Sequence, residues 1–250
     1  MNIAVVTGAS SGMGRLFALM ITDYFQEIDE IWLVARREQR LNDLSKYINI
    51  PVKIFQGDLC CNDIFNKLSF ELKKKNYNVS VLINGAGFGK TGTFKSIINE
   101  NAHIQSDMVN LNCVSLTRMC EVMLPYMHKD SRIINVASGA SFCPQPKFAV
   151  YAATKAYVLN FSRALNMELC KRDIYVTSVC PGPVDTEFFN TAGNITSPIK
   201  KLMIAKPEKV VKKALVDSIK KKELSVYGIA MKMSHFASKL IPNKLIMKFF

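Results

Sequence analysis

Residues 7–14 read TGASSGMG, and this octapeptide decides the fold. It follows IAVV at positions 3–6, an apolar run of strand length, and opens onto Met13–Phe25, an amphipathic segment of helical period. Gly8, Gly12 and Gly14 let the backbone turn and lie against a ligand. The N-terminus of the following helix offers unpaired N–H groups and a positive dipole end. Strand, glycine turn and helix in that order form a cradle for a pyrophosphate. The spacing is G-x-x-x-G-x-G rather than G-x-G-x-x-G, and alone it also fits an ordinary turn. Its place directly between strand and helix favours the cradle.

The same alternation runs outward along the chain. Ile31–Ala35, Val52–Phe55, Val79–Ile83, Arg132–Val136, Tyr175–Val179 and Leu224–Tyr227 read as further buried strands. Amphipathic segments at Cys61–Lys75, Asn101–Met127, Ala149–Cys170 and Pro207–Lys221 separate many of them. Seven strands joined through helices predict a single α/β domain over residues 1–250, a doubly wound parallel sheet covered on both faces. No repeat or linker divides the chain, and 250 residues suit one large core better than two. Ligands of such sheets lie beyond the carboxyl ends of the strands, where strand order reverses.

Charge and cysteine usage exclude several classes. The net charge is +13, but residues 200–250 hold 13 lysines against 3 acids and no arginine. Arginine reads guanine edges and stacks on bases, so a lysine-only excess argues against nucleic acid. The seven scattered cysteines and three distant histidines show neither a disulfide framework nor a metal site. IAVV lacks a preceding charged segment and meets Gly8 within a few residues, so it reads as a strand rather than a signal peptide. A reducing, cytoplasmic setting is expected.

The strand ends carry the chemistry. After the second strand, VARR places Ala35 where an acid would grip the ribose 2′-hydroxyl of NAD, followed by Arg36 and Arg37. A guanidinium pairs with a 2′-phosphate, so NADP(H) is favoured over an ordinary basic loop. Asp58 follows the third strand, placed for the adenine amino group. NGAG follows the fourth, where Ala86 and Gly87 let backbone lie against a cofactor and Asn84 contacts it or ties strand to strand. Ser138 follows the fifth. Thirteen residues later, YAATK sets Tyr151 and Lys155 one helical turn apart. That pair is either a surface contact or an acid beside a cation, with Ala152 and Ala153 keeping the helix thin for the cofactor.

TGASSGMG, NGAG, Ser138 and Y-x-x-x-K together resemble the short-chain dehydrogenase/reductase family over residues 2 to about 190. The resemblance implies that Tyr151 is the general acid/base and that Lys155 lowers its pKa and holds the nicotinamide ribose. It makes Ser138 a partner of the substrate oxygen. Of the two asparagines in VNLNC, Asn110 and Asn112, the family's spacing to the proline of Leu124-Pro125 selects Asn112 for the proton relay. It makes Gly8, Ser10, Gly12, Met13, Gly14, Arg36, Asp58, Asn84, Ala86 and Gly87 cofactor contacts, together with Pro181, Gly182, Val184 and Thr186 of PGPVDT. The family's usual NNAG reads NGAG here, and Gly85 predicts a looser backbone on the cofactor side. Bringing a phenol from about 10 to about 7 asks for roughly 4 kcal/mol, within reach of an ammonium plus a cationic nicotinamide in a dry pocket.

These readings predict an NADPH-dependent carbonyl reductase, reversible as an alcohol dehydrogenase, with a non-catalytic NADP-binding regulator as the alternative. Phe142, Phe148, Phe188 and Phe189 are candidates to line an apolar pocket, with a substrate loop at about 187–205. A 3-oxoacyl, steroid-like or other lipophilic ketone would fit. The two long helices, 101–127 and 149–170, predict a homodimer or homotetramer. The tail at 231–250 carries Met233, Phe236, Ala237, Leu240 and Ile241 at helical spacing among lysines. Such a stripe usually packs on its own domain or a partner subunit. The alternatives are an anionic membrane surface, giving peripheral attachment, or an acidic carrier.

Overall fold

β1 (Asn2–Thr7) runs through the middle of the sheet, and five of its six residues are buried. The computed structural model describes residues 1–193 and 204–249. Residues 194–203 of the expected substrate loop, and Phe250 of the tail, lie outside the described residues. Among the described residues, seven parallel strands follow the order β3-β2-β1-β4-β5-β6-β7. The others are β2 (Glu30–Ala35), β3 (Val52–Gln56), β4 (Asn78–Asn84), β5 (Arg132–Val136), β6 (Tyr175–Val179) and β7 (Leu224–Ser225). The order reverses between β1 and β4, where Thr7 lies beside both Val34 and Asn84. The carboxyl ends are therefore level, and the residues that follow them share one edge.

Helices α1 (Gly12–Met20) and α2 (Glu38–Ser45), with the crossover helix Pro207–Ile219, cover one face over Phe17, Ile21, Leu41 and Leu215. The other face is covered by α3 (Asn62–Leu72), α6 (Ser115–Met123) and α7 (Ala149–Leu169), over Leu68, Met123 and Val158. Strands buried on both sides read as unbroken apolar runs, which made them visible in sequence.

The departures have local causes. The expected helix Asn101–Met127 is broken into α5 (Ile104–Val109), a π-helical turn at Asn110–Val114, α6 and a 3₁₀ turn at Leu124–Tyr126. Ser115 sustains the wide turn, since its N–H and its hydroxyl (3.0 Å) both donate to the Asn110 carbonyl. Helices α2, α4 (Phe94–Glu100) and Phe188–Ala192 were not expected from sequence. Helix α4 has a legible start, because Thr93 accepts from the Ser96 N–H at 3.1 Å. β7 stops at Ser225 rather than Tyr227, ahead of a turn at Gly228 with φ +87°.

Candidate active site

Helix α7 brings Tyr151 and Lys155 to the carboxyl edge of β5, on the face turned into the protein. The two are only 7% and 5% exposed, so the pair is not a surface contact. Ser138 stands just beyond β5, its hydroxyl near enough to the phenol to act on it, and its Oγ accepts from the Ala140 N–H at 3.1 Å. Lys155 Nζ donates to the Val136 carbonyl at 2.8 Å and lies 5.7 Å from the Tyr151 ring centroid. Ala152 is buried with the phenol, whereas Ala153 faces outward, so only the first of the two keeps this side thin.

Burial dominates the electrostatics of this pair. Burial pushes the Tyr151 phenol up to about 12, with the nearby Ser138 hydroxyl opposing it. Burial also pulls Lys155 down to about 8. Desolvation penalises both charged forms at once. A protonated phenol is nonetheless the form that donates to a ketone oxygen.

The π-helical turn aims Asn112 inward, 1% exposed, while Asn110 stays at the surface. Asn112 Oδ1 accepts from the Phe88 N–H at 3.1 Å, and its Nδ2 donates to the Phe88 carbonyl at 2.9 Å and to Thr154 Oγ1 at 3.0 Å. It thereby pins the loop after β4 against α7. Single π turns recur at functional sites because they redirect one side chain without ending the helix. Of the two roles expected for Asn84, cofactor contact or strand tie, the hydrogen bonds show the tie. Asn84 is 3% exposed, and its Nδ2 donates to Asn135 Oδ1 at 2.9 Å across β4 and β5.

The cradle has the shape a dinucleotide needs. Gly8 adopts φ +68°, and a Cβ there would stand 2.8 Å from the Ala86 backbone nitrogen. Thr186 sits over the turn, its Cβ 3.5 Å from where one would lie on Gly12. Ser10, Met13 and Gly14 complete the loop, and no side chain caps the first turn of α1. Its N–H donors and positive end are thus left for an anion. Lys155 adds a buried cation with donors beyond its bond to Val136. Pro181, Gly182 and Val184 follow β6 along the same edge. These residues fit a nicotinamide dinucleotide.

Gly85 does not loosen this edge. Its N–H donates to Thr7 Oγ1 at 3.1 Å, and a Cβ would stand 2.8 Å from the Thr7 carbonyl oxygen. Restoring the family's usual residue with Gly85→Asn is therefore expected to destabilise the fold by about 1–3 kcal/mol, read by urea unfolding. Unchanged stability would mean that the β1–β4 edge yields easily.

Arg36 reaches from the end of β2 toward Asp58, at 3.8 Å, and its side chain is 72% exposed and open to a phosphate. Arg37 is more constrained than the sequence suggested. It donates to Ser10 Oγ from Nε (3.1 Å) and Nη2 (3.0 Å), and to Ser11 Oγ at 2.6 Å. Glu187, unnoticed in the sequence, bridges Arg37 at 3.2 Å and Arg40 at 2.8 Å. Arg40 first, then Arg37, hold the Glu187 carboxyl below its ordinary value. This clasp joins the segment after β6 to the segment after β2.

Two of the four expected aromatics meet the phenol. Phe148 stacks on Tyr151 at 4.2 Å, and Phe188 tilts against it at 5.4 Å. Phe88 and Met108, not singled out in sequence, join that cluster. Phe142 instead packs on His235 at 4.5 Å, and Phe189 touches Phe188 rather than the phenol. The tail also differs from expectation. Its stripe does not pack on its own domain, because Met233, Phe236 and Leu240 are 67%, 65% and 68% exposed. Contact with the domain comes from Met231 and His235.

The family model for short chain dehydrogenases matches residues 2–195. An uncharacterized oxidoreductase of Staphylococcus epidermidis is 33% identical over 187 residues, covering 74% of this chain and 79% of its own. A very-long-chain 3-oxoacyl-CoA reductase-B of Danio rerio is 30% identical over 254 residues, covering 98% of this chain and 78% of its own. A short-chain dehydrogenase from Sphingobium yanoikuyae in complex with NADPH shares the fold with a TM-score of 0.79. It is 26% identical and covers 100% of this chain and 96% of its own.

Proposed function

The chain belongs to the short-chain dehydrogenase family, and from that membership we propose an NADPH-dependent carbonyl reductase, reversible as an alcohol dehydrogenase, that acts on an apolar ketone. The observation that carries this reading is the burial of Tyr151 and Lys155 on one face of α7, with the Ser138 hydroxyl near the phenol. When bound, the nicotinamide supplies the hydride. Ser138 and Tyr151 hold the carbonyl oxygen, and the phenol delivers the proton as charge develops there. Lys155 holds the cofactor ribose and keeps positive charge near the phenol. Asn112 keeps the loop after β4 in place beside both. A regulator without activity has no need for all four groups at one site.

An apolar substrate is supported by Phe88, Phe148 and Phe188 around the phenol, and by the likeness to a 3-oxoacyl-CoA reductase. The test is a screen of NADPH oxidation across 3-oxoacyl thioesters, steroid-like ketones and other lipophilic carbonyls. Activity confined to small polar ketones would overturn the substrate assignment. We include assembly as a homodimer or homotetramer through α5–α6 and α7. Val109, Val114 and Tyr157 remain 41%, 48% and 43% exposed along a groove of about 630 Å3 between those helices. Light scattering that finds only monomer at micromolar concentration would remove this part of the proposal.

Cofactor choice follows from Ala35, Arg36 and Arg37. Arg36→Ala is expected to weaken NADPH binding by roughly 10–100-fold, the worth of a charge-assisted pair to the 2′-phosphate. NADH binding should scarcely change. Fluorescence titration of both cofactors checks this, and equal affinity for the two in the unmodified protein would contradict it.

A further inference from the structure

We propose that the helix Ile229–Leu240 docks the protein on an anionic lipid surface. Ile229, Met233, Phe236 and Leu240 recur at steps of four, three and four residues, which puts them on one stripe of the helix. All four point to solvent, with Ile229 the most open at 78% exposed. The opposite side of the helix is the one the domain covers. Met231 lies against Gly182, where a Cβ would come within 2.8 Å of its Sδ, and against Gly139, while His235 packs at a tilt on Phe142. The apolar stripe cannot turn inward without breaking those contacts. It continues through Ile241 and, beyond Pro242, through Leu245, 43% and 50% exposed.

Charge selects the occupant. No aspartate or glutamate follows Glu223, whereas Lys232, Lys239, Lys244 and Lys248 all fall in this stretch. A second copy packed through a two-fold axis would bring the lysines of one stripe toward those of the other, with no acid between them. A surface of anionic headgroups accepts the lysines while the apolar row enters the acyl boundary. Each lysine near such a surface strengthens partitioning roughly fivefold. Among the described residues no helix is long and apolar enough to cross a membrane, so this helix would lie in the interface rather than span it. Met231 anchors it beside Gly139, the neighbour of Ser138, so docking would bring the carbonyl-binding end of the site close to lipid.

The test is flotation of the full chain with vesicles of phosphatidylcholine alone, or with about 30% phosphatidylserine, at low and high salt. Binding is expected only to the anionic vesicles and should fall as salt rises. Met233→Ser/Phe236→Ser/Leu240→Ser and, separately, Lys232→Gln/Lys239→Gln/Lys244→Gln should each weaken partitioning by at least about tenfold. Circular dichroism and NADPH binding of both variants should stay unchanged, since none of these residues lies at the catalytic cluster or the cradle. Failure of the unmodified chain to float with anionic vesicles at low salt would overturn the proposal. So would undiminished flotation of the serine variant accompanied by a fall in oligomer size, which would assign the stripe to a second copy.

Discussion

Tyr151→Phe is expected to lower kcat/KM for ketone reduction by about 10²–10⁴, the usual worth of a positioned general acid, while NADPH affinity stays nearly unchanged. The substitution removes one hydroxyl and leaves the ring in place. That ring is held by Phe148 at 4.2 Å and Phe188 at 5.4 Å, contacts that do not involve the oxygen. Ser138 keeps its bond from the Ala140 N–H, so the strand end should not rearrange. Burial holds the phenol up to about 12, so the proton is in place for reduction at neutral pH. The reverse reaction must first remove that proton, and alcohol oxidation is therefore expected to rise with pH well above neutrality. A variant that kept more than about a tenth of the activity would assign the proton to another group.

Lys155→Met should abolish most turnover and weaken cofactor binding, yet make the fold more stable at pH 7. Burial brings the lysine from its ordinary 10.5 down to about 8, so below pH 8 the folded protein carries a cation it disfavours. That shift corresponds to roughly 3 kcal/mol. Methionine removes the cost but leaves the Val136 carbonyl without its 2.8 Å donor, a loss of about 1–3 kcal/mol. A net gain of about 1 kcal/mol is expected. The sign fixes the pH dependence. The destabilisation is full below about pH 8 and fades toward 10.5, as the native lysine loses its proton in the folded state first. Urea unfolding across that range should show the variant's advantage vanish and then reverse, because the neutral lysine still donates to Val136 and methionine cannot. A variant less stable than the parent at pH 7 would mean that the ammonium is well compensated in the fold.

The seven strands and the α7 pair were legible because each depends on a local pattern. Buried parallel strands are short apolar runs, and Tyr151 and Lys155 must share a helix face at that spacing. What was missed depends on partners distant in sequence. Glu187 reveals itself only once the segment after β6 lies across Arg37 and Arg40, 150 and 147 residues away. The wide turn that aims Asn112 inward rests on Ser115, whose single hydroxyl proton is shared between the Asn110 and Leu59 carbonyls, the second a tertiary contact. Gly85 read as looseness because a missing side chain looks permissive, whereas the Thr7 carbonyl occupies the space. The tail's period was visible in sequence, but which side of the helix met the domain was not. Two side chains, Met231 and His235, decide it.

The central claim is that this site moves a hydride from a nicotinamide to a carbonyl carbon while Tyr151 supplies the proton. The most direct measurement uses NADPH deuterated at the transferring C4 position, with 3-oxoacyl thioesters and other apolar ketones, and mass spectrometry of the products. The account predicts deuterium on the carbinol carbon of at least one product, and loss of that product in Tyr151→Phe although NADPH still binds. Tight NADPH binding by the unmodified protein, with no deuterium transferred to any ketone of the panel, would contradict it.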